Sequence, residues 1–238
     1  MTKELKMGGT QIFYGGVNAG REVNSRAKPE EWIPLLMNAY RALREILEEF
    51  KVKPVIVGAG AYGIHVEFDP TKDIDIALSK PLLVSELGTI LNRLSNSLKT
   101  LGYRVLGGGL QQGRSPEDWV IQIFIGVKPG RIVGLEIFNL LNARPLSVFE
   151  TKTTYLEGEM FEVLTLESWI ASKLTDPNGI DERNLRRLEK SLEKNVNVEK
   201  ILEIVMRSGL SEIAKINAKD ALARTRHAKL KTLLTVLI

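Results

Sequence analysis

The sequence predicts a mixed α/β part, a small mixed sheet flanked by helices, followed by an all-helical part, with the change of character near residue 150. Two observations predict it. Short apolar runs bounded by glycine and proline recur up to residue 141, with amphipathic helical segments among them. Beyond residue 150 helical spacing takes over. A chain of 238 residues that is 44% hydrophobic can bury a core large enough for both parts.

In chain order, residues 1–28 carry Gly8, Gly9, Gly15, Gly16 and Gly20 among scattered aromatics with no sustained period, which predicts an irregular N-terminal arm. From Pro29, apolar residues Trp32, Leu35, Leu36, Ala39, Leu43, Ile46, Leu47 and Phe50 recur at helical spacing, with acids first and proline near the start. Lys53–Val57 reads as a short buried strand running into Gly58, Gly60 and Gly63, and Asp73–Leu78 as a second, alternating strand. Residues 82–101 have helical spacing and stop at Gly102, a C-cap. A strand around Tyr103–Leu106, a glycine-rich polar loop at 107–118 and two apolar runs, Trp119–Val127 and Arg131–Leu141, follow. The runs are joined by a hairpin turn at Lys128, Pro129 and Gly130. After residue 150 come LTLESWIASKL, DERNLRRLEKSLEK, VEKILEIVMRSG and a basic final helix from about Asn217. The division expected is thus an arm at 1–28, a catalytic part at 29–150 and a helical part at 151–238.

Composition narrows the chemistry. With no cysteine and only His65 and His227 as imidazoles, disulfides and a cysteine zinc site are excluded. The net charge of +4 suits a phosphate-bearing partner without requiring one. The start, MTKELKMGG, lacks the apolar run of a secretory signal and no stretch is long enough to span a bilayer, so a soluble cytoplasmic protein without membrane contact is expected.

The informative stretch is VIVGAGAYGIHVEFDPTKDIDIALS, residues 55–79. Alternation along a strand puts Asp73 and Asp75 on one face and Ile74 and Ile76 on the other. Two adjacent carboxylates repel unless a cation or protons intervene, and a divalent metal that prefers oxygen is the ready partner. Nucleotidyl transfer uses that arrangement to activate a hydroxyl and to neutralise a triphosphate. The glycines upstream let backbone N–H groups approach phosphate at the start of a helix.

Gly58 with the small Ala59, and then Thr71, Lys72, Asp73, Ile74 and Asp75, resembles the hallmark of the DNA polymerase beta superfamily, most of all its minimal nucleotidyltransferases, including abortive-infection toxin enzymes. The resemblance implies the nucleotidyltransferase fold, two magnesium ions and a nucleoside triphosphate substrate. It maps Asp73 and Asp75 onto the metal ligands and Gly58 and Ala59 onto the phosphate-contacting pair, with Lys72 beside them. The family's third carboxylate falls on Glu136 in GLEIFNLL, where the family more often has Asp. Lys173 in TLESWIASKL resembles the family lysine that reaches the triphosphate. The acidic segment that usually follows is replaced by NLRRL, with Asn184 and Arg187. Acceptors implied by the family run from RNA and tRNA ends to proteins and small molecules such as aminoglycosides. An antitoxin is the partner it implies, and the short apolar ending LKTLLTVLI, the packed end of a helix, also allows a contact with further copies of the chain.

Competing readings attach to the same residues. Gly58, Gly60 and Gly63 form a G-x-G-x-x-G after a strand, as in NAD(P)-binding oxidoreductases, although Pro70 cuts the following helix short and the acids open the next strand instead of closing it. A degenerate member that binds nucleotide without catalysis is a further alternative. Asp73 and Asp75 could be a solvated strand edge. Glu136 could pair with Arg131 or Lys72, and His65 could be a satisfied polar residue of a short helix. The loop at 107–118 reads equally as a substrate flap, with Arg114 as its phosphate contact, or as a solvated connection. Lys215, Lys219, Arg224, Arg226, Lys229 and Lys231 could follow a nucleic-acid backbone or form a solvated face.

Overall fold

The structure is a computed structural model that describes residues 11–14 and 26–238. Of the predicted arm, Gln11–Tyr14 forms β1, and the rest up to residue 25 lies outside the described residues. Eight strands make one mixed sheet: β1, β2 (Pro54–Ile56), β3 (Asp73–Leu78), β4 (Arg104–Gln112), β5 (Trp119–Lys128), β6 (Arg131–Phe138), β7 (Thr151–Leu156) and β8 (Glu159–Leu164). Their order across the sheet is β1-β4-β5-β6-β3-β2-β8-β7. β3 runs parallel to β6, β2 runs parallel to β8, and the other neighbours are antiparallel.

Two helices predicted from apolar spacing, α1 (Pro29–Leu47) and α3 (Val84–Thr100), pack against each other and against the sheet. Glu31 holds the start of α1 by accepting from the Lys28 N–H, 2.9 Å. Gly102 ends α3 at φ +87°, as its C-cap position demands. On β5, Trp119, Ile121, Ile123 and Ile125 point into this layer and are buried. The opposite face of β5, β6 and β3 carries Gln122, Glu136, Asp73 and Asp75.

The helices that follow are α4 (Leu166–Leu174), α5 (Glu182–Ser191), α6 (Val198–Arg207), α7 (Ser211–Arg224) and α8 (Ala228–Leu237), with α2 (Gly58–His65) earlier in the chain. Three expectations are corrected. The helical stretch begins at Leu166 instead of near residue 150, because Thr151–Leu164 forms a hairpin whose strand β8 pairs with β2. The glycines at 107–109 belong to β4, since ladder hydrogen bonds to β1 and β5 use backbone alone, and only 113–118 remains as loop. The basic end is two helices, broken at Thr225, whose hydroxyl donates to Glu189. None of the helices among the described residues is long and apolar enough to cross a membrane.

Candidate active site

β3 lies inside the sheet, between β6 and β2, so its acids do not sit at a solvated edge. Ile74, Ile76 and Leu78 fix the strand in the core, and Asp73 and Asp75 are left on the open face. The parallel register with β6 sets Asp75 beside Glu136 and Asp73 beside Gly134. β2 ends in a turn at Gly58, which opens α2 with φ +51°. Asp75 lies against that glycine so closely that a Cβ there would stand 1.8 Å from its Oδ2. The same oxygen faces the Ala59 N–H at 3.4 Å.

α4 closes this corner. The Trp169 indole N–H donates to Gly58 O at 2.8 Å, and its ring packs on Tyr62 at 5.3 Å. Lys173, one turn on and on the same face, projects beside Asp75. A cleft of about 780 Å³ results, lined among others by Gly58, Asp75, Glu136, Arg114, Lys173 and Asn142. The structure thus gathers five of the predicted site residues around one cavity. Ala59 turns only its N–H toward it, Asp73 stands exposed at its lip, and Lys72 lies beside Asp73 outside the lining.

The carboxylates are held at a cost. Burial, followed by the charges of Asp75 and Asp73, pushes Glu136 up to about 8 against a pull from Gln122, whose amide donates to it at 3.0 Å. Burial also raises Asp75, opposed by Lys173, the Ala59 N–H, Arg187 and Arg183. Desolvation and then the charge of Asp75 push Asp73 up to about 6, though solvent at the lip screens part of that. Glu136 has no ion pair with either suggested partner: Arg131 instead joins Lys128 on Glu31. Hard oxygen donors with raised proton affinity fit a divalent cation. Among the described residues no three such side chains are already gathered around one point.

Other predicted residues are placed as follows. Arg114 reaches across the cleft mouth from the 113–118 loop and donates to Pro177 O (3.1 Å) and Asn178 Oδ1 (3.2 Å). Asn184 caps nothing but offers its N–H to Asp181 at the start of α5. Arg187 and Arg183 both engage Asp69, and Arg187 lies over the Tyr62 ring at 5.0 Å. His65 is a satisfied polar residue, 2.6 Å from Leu164 O, its proton affinity lowered by burial. Arg224 pairs with Glu182 and Asp220, and Lys215 with Glu212, while Lys219, Arg226, Lys229 and Lys231 are exposed. His227 caps α8 through Leu230 N.

Sequence reasoning missed Gln122, Trp169 and Asn142. The hairpin turn alone would set Gln122 opposite Ile137, and a bulge between Gly126 and Lys128 shifts the pairing so that Gln122 faces Glu136. Nothing local marked Asn142, which takes φ +54° and ties its turn to Ser172 O at 2.6 Å. The dinucleotide alternative fails on topology: β2 and β3, which flank the glycine helix, are antiparallel, whereas that fold needs them parallel.

No family model matches the chain, and no curated protein matches it. Among solved structures, it is similar to an antigenic nucleotidyltransferase-like protein from Paracoccidioides brasiliensis, at 13% identity over 89% of this chain and 95% of that one, TM-score 0.49. It is also similar to the antibiotic-resistance factor ANT(2'')-Ia, at 11% identity over 73% of this chain and 90% of that one, TM-score 0.42. The same factor in complex with adenylyl-2''-tobramycin gives 12% identity over 75% of this chain and 98% of that one, TM-score 0.43. Likenesses of this size carry no assignment of activity.

Proposed function

We propose that the chain is a nucleotidyltransferase of the polymerase beta type, which moves a nucleoside monophosphate from a nucleoside triphosphate to an acceptor hydroxyl. The observation that carries this reading is the corner where Asp75, in register with Glu136, lies against the Gly58 turn at the start of α2 with Lys173 facing it. Carboxylates, backbone N–H groups and a lysine meeting in one cleft supply both halves of a triphosphate site, one for cations and one for phosphate.

Asp73, Asp75 and Glu136 would hold two magnesium ions, which would neutralise the triphosphate and favour ionisation of the acceptor hydroxyl. Gly58 and Ala59 offer backbone N–H groups to the phosphates, and Lys173 adds a charge that offsets the leaving pyrophosphate. The hydroxyl oxygen attacks the α-phosphorus, the bond from that phosphorus to the bridging oxygen breaks, and pyrophosphate departs with the electron pair. Glu136 in its ionised form, in register beside Asp75, is the carboxylate placed to receive the hydroxyl proton. Trp169 fixes the glycine turn, so the phosphate end is set before substrate arrives.

The test is magnesium-dependent transfer from each α-labelled nucleoside triphosphate to cellular RNA and protein, beside an Asp73→Ala, Asp75→Ala double variant. Label with the wild type and none with the variant is expected. Metal-dependent nucleotide binding with no label on any acceptor overturns the reading in favour of a non-catalytic nucleotide-binding module.

A further inference from the structure

β7 lies at one edge of the sheet, and its pairing with β8 decides which of its backbone groups are left over. The two strands meet in a two-residue turn at Glu157 and Gly158, φ +50° and +83°, so Leu156 and Glu159 exchange hydrogen bonds and every second pair down the hairpin does the same. Thr153 and Glu162 fall between such pairs. The Glu162 N–H accordingly turns away from β7 and donates to Tyr40 Oη at 2.9 Å. At the foot of the hairpin the Thr165 N–H donates to Glu150 O at 2.9 Å, in step with the even-numbered residues. The N–H and C=O groups of Thr151, Thr153 and Tyr155 therefore point out of the sheet, and among the described residues none of them has a backbone partner there.

Sheet edges are commonly blunted by proline, by a bulge or by charge. TKTTYL has no proline, pairs with β8 over its whole length without a shift in register, and holds one charged residue, Lys152. Its threonines and tyrosine suit an extended strand. Tyr155, 72% exposed, and Met160, 52% exposed, are cross-strand neighbours on one face of the hairpin, two large side chains left open to solvent.

We propose that this edge is where a second copy of the chain pairs, β7 lying antiparallel to the β7 of its partner about a two-fold axis through Thr153. Only the odd-numbered residues can exchange hydrogen bonds across the edge, which leaves few registers. With Thr153 on the axis, Thr151 faces the partner's Tyr155 and Lys152 faces the partner's Thr154, so all three free residues of each strand are matched and no like charges meet. An axis one residue nearer the foot of the hairpin sets Lys152 against the partner's Lys152. One residue nearer the tip, it leaves Thr151 against the partner's Glu157, in the turn. The ring of Tyr155 packs on the partner's β-branched Thr151, an aromatic pairing that sheets favour. A strand of six residues is about 20 Å long, so the contact is at the small end of specific interfaces, and a dissociation constant on the order of micromolar is expected. β8 pairs in turn with β2, which runs into the Gly58 turn, so one continuous sheet joins the two candidate sites.

The test is sedimentation equilibrium of the full chain over roughly 1 to 100 µM, on both sides of that constant. Thr153→Lys sets two lysines against each other on the axis, and Tyr155→Ser removes the ring. Both positions are exposed, so the monomer keeps its fold, as circular dichroism and melting check. Each substitution weakens dimerisation by about tenfold or more. Thr153→Glu does the same alone, but mixed with Thr153→Lys it restores the dimer, because only a residue on the two-fold axis meets itself. That restoration supports the pairing. A chain that stays monomeric throughout the range overturns it and leaves the edge to a strand of another protein. A dimer that all three substitutions leave unchanged forms on another face and overturns it equally. Loss with each substitution but no restoration by the mixture overturns the axis through Thr153.

Discussion

Gly58→Ala is the substitution whose effect the structure states most directly. The added methyl would stand 1.8 Å from Asp75 Oδ2, 2.5 Å from its Cγ and 2.7 Å from its Cβ, and the backbone at φ +51° is already in the left-handed region. The backbone alone costs about 1–2 kcal/mol for a residue with a Cβ. Relief of the collision requires Asp75 to swing off the Ala59 N–H, adding about 1 kcal/mol for the lost contact. For a chain of this length each kcal/mol lowers the melting midpoint by about 2–4 °C, so a fall of about 5–10 °C is expected by calorimetry with chelator present. Transfer activity drops by about 10²-fold, the loss that follows when a reacting group is displaced by about 1 Å. The cause is isolated by repeating the substitution in an Asp75→Gly background, where no side chain remains to meet the new methyl. The penalty there shrinks to the backbone cost alone, a coupling of about 1 kcal/mol. Equal penalties in both backgrounds would refute the contact between Gly58 and Asp75 as the reason for the glycine.

Two further expectations concern pH. Hydrogen bonds from Arg131 first, then Lys128 and the Lys28 N–H, hold Glu31 down to about 2, below its ordinary 4.5. Its contribution to stability is complete above pH 4.5 and is lost as pH falls toward 2, so Glu31→Gln flattens that stretch of a melting-point profile; an unchanged profile counts against the pairing. Glu136 behaves in the opposite sense, raised from 4.5 to about 8 by burial and the Asp75 and Asp73 charges. Between those values the native state keeps a proton that the unfolded chain releases, so stability falls as pH rises through the window. Without divalent cations Glu136→Gln therefore melts higher than wild type, by a margin that widens from pH 4.5 to 8, and magnesium narrows it by stabilising the wild type. A margin independent of pH would show that Glu136 is ionised and paired.

What the sequence disclosed and what it hid divide along physical lines. Period-2 and period-3.6 patterns are local, so β3, β5, β6, α1 and α3 were legible, and so was the turn at Pro129 and Gly130, but the bulge between Gly126 and Lys128 that shifts the register and sets Gln122 opposite Glu136 was not. The 151–164 hairpin falls in the stretch given to the helical part without an element of its own, because TKTTYL and EMFEVL alternate weakly, and what makes them strands is their mutual pairing and a distant pairing with β2. The glycines at 107–109 carry loop chemistry in isolation, but strands on both sides override it. Asp73 and Asp75 could be named from strand alternation and Lys173 from the family resemblance, whereas Trp169 could not be named, since its partner is a backbone oxygen 111 residues away.

Three acids on one face would destabilise the fold if left alone, and the structure offsets them unequally. Asp75 receives most: Lys173, the Ala59 N–H and the surplus guanidinium charge around Asp69. Asp73 has Lys72, Arg183 and access to solvent. Glu136 has only the neutral amide of Gln122, and its proton affinity is accordingly pushed further, to about 8, than that of Asp73, at about 6. The protein groups thus compensate Asp75 and Asp73 and leave Glu136 in want of positive charge. A cation entering the cleft therefore gains most beside Glu136, the acid of the three that the fold offsets least.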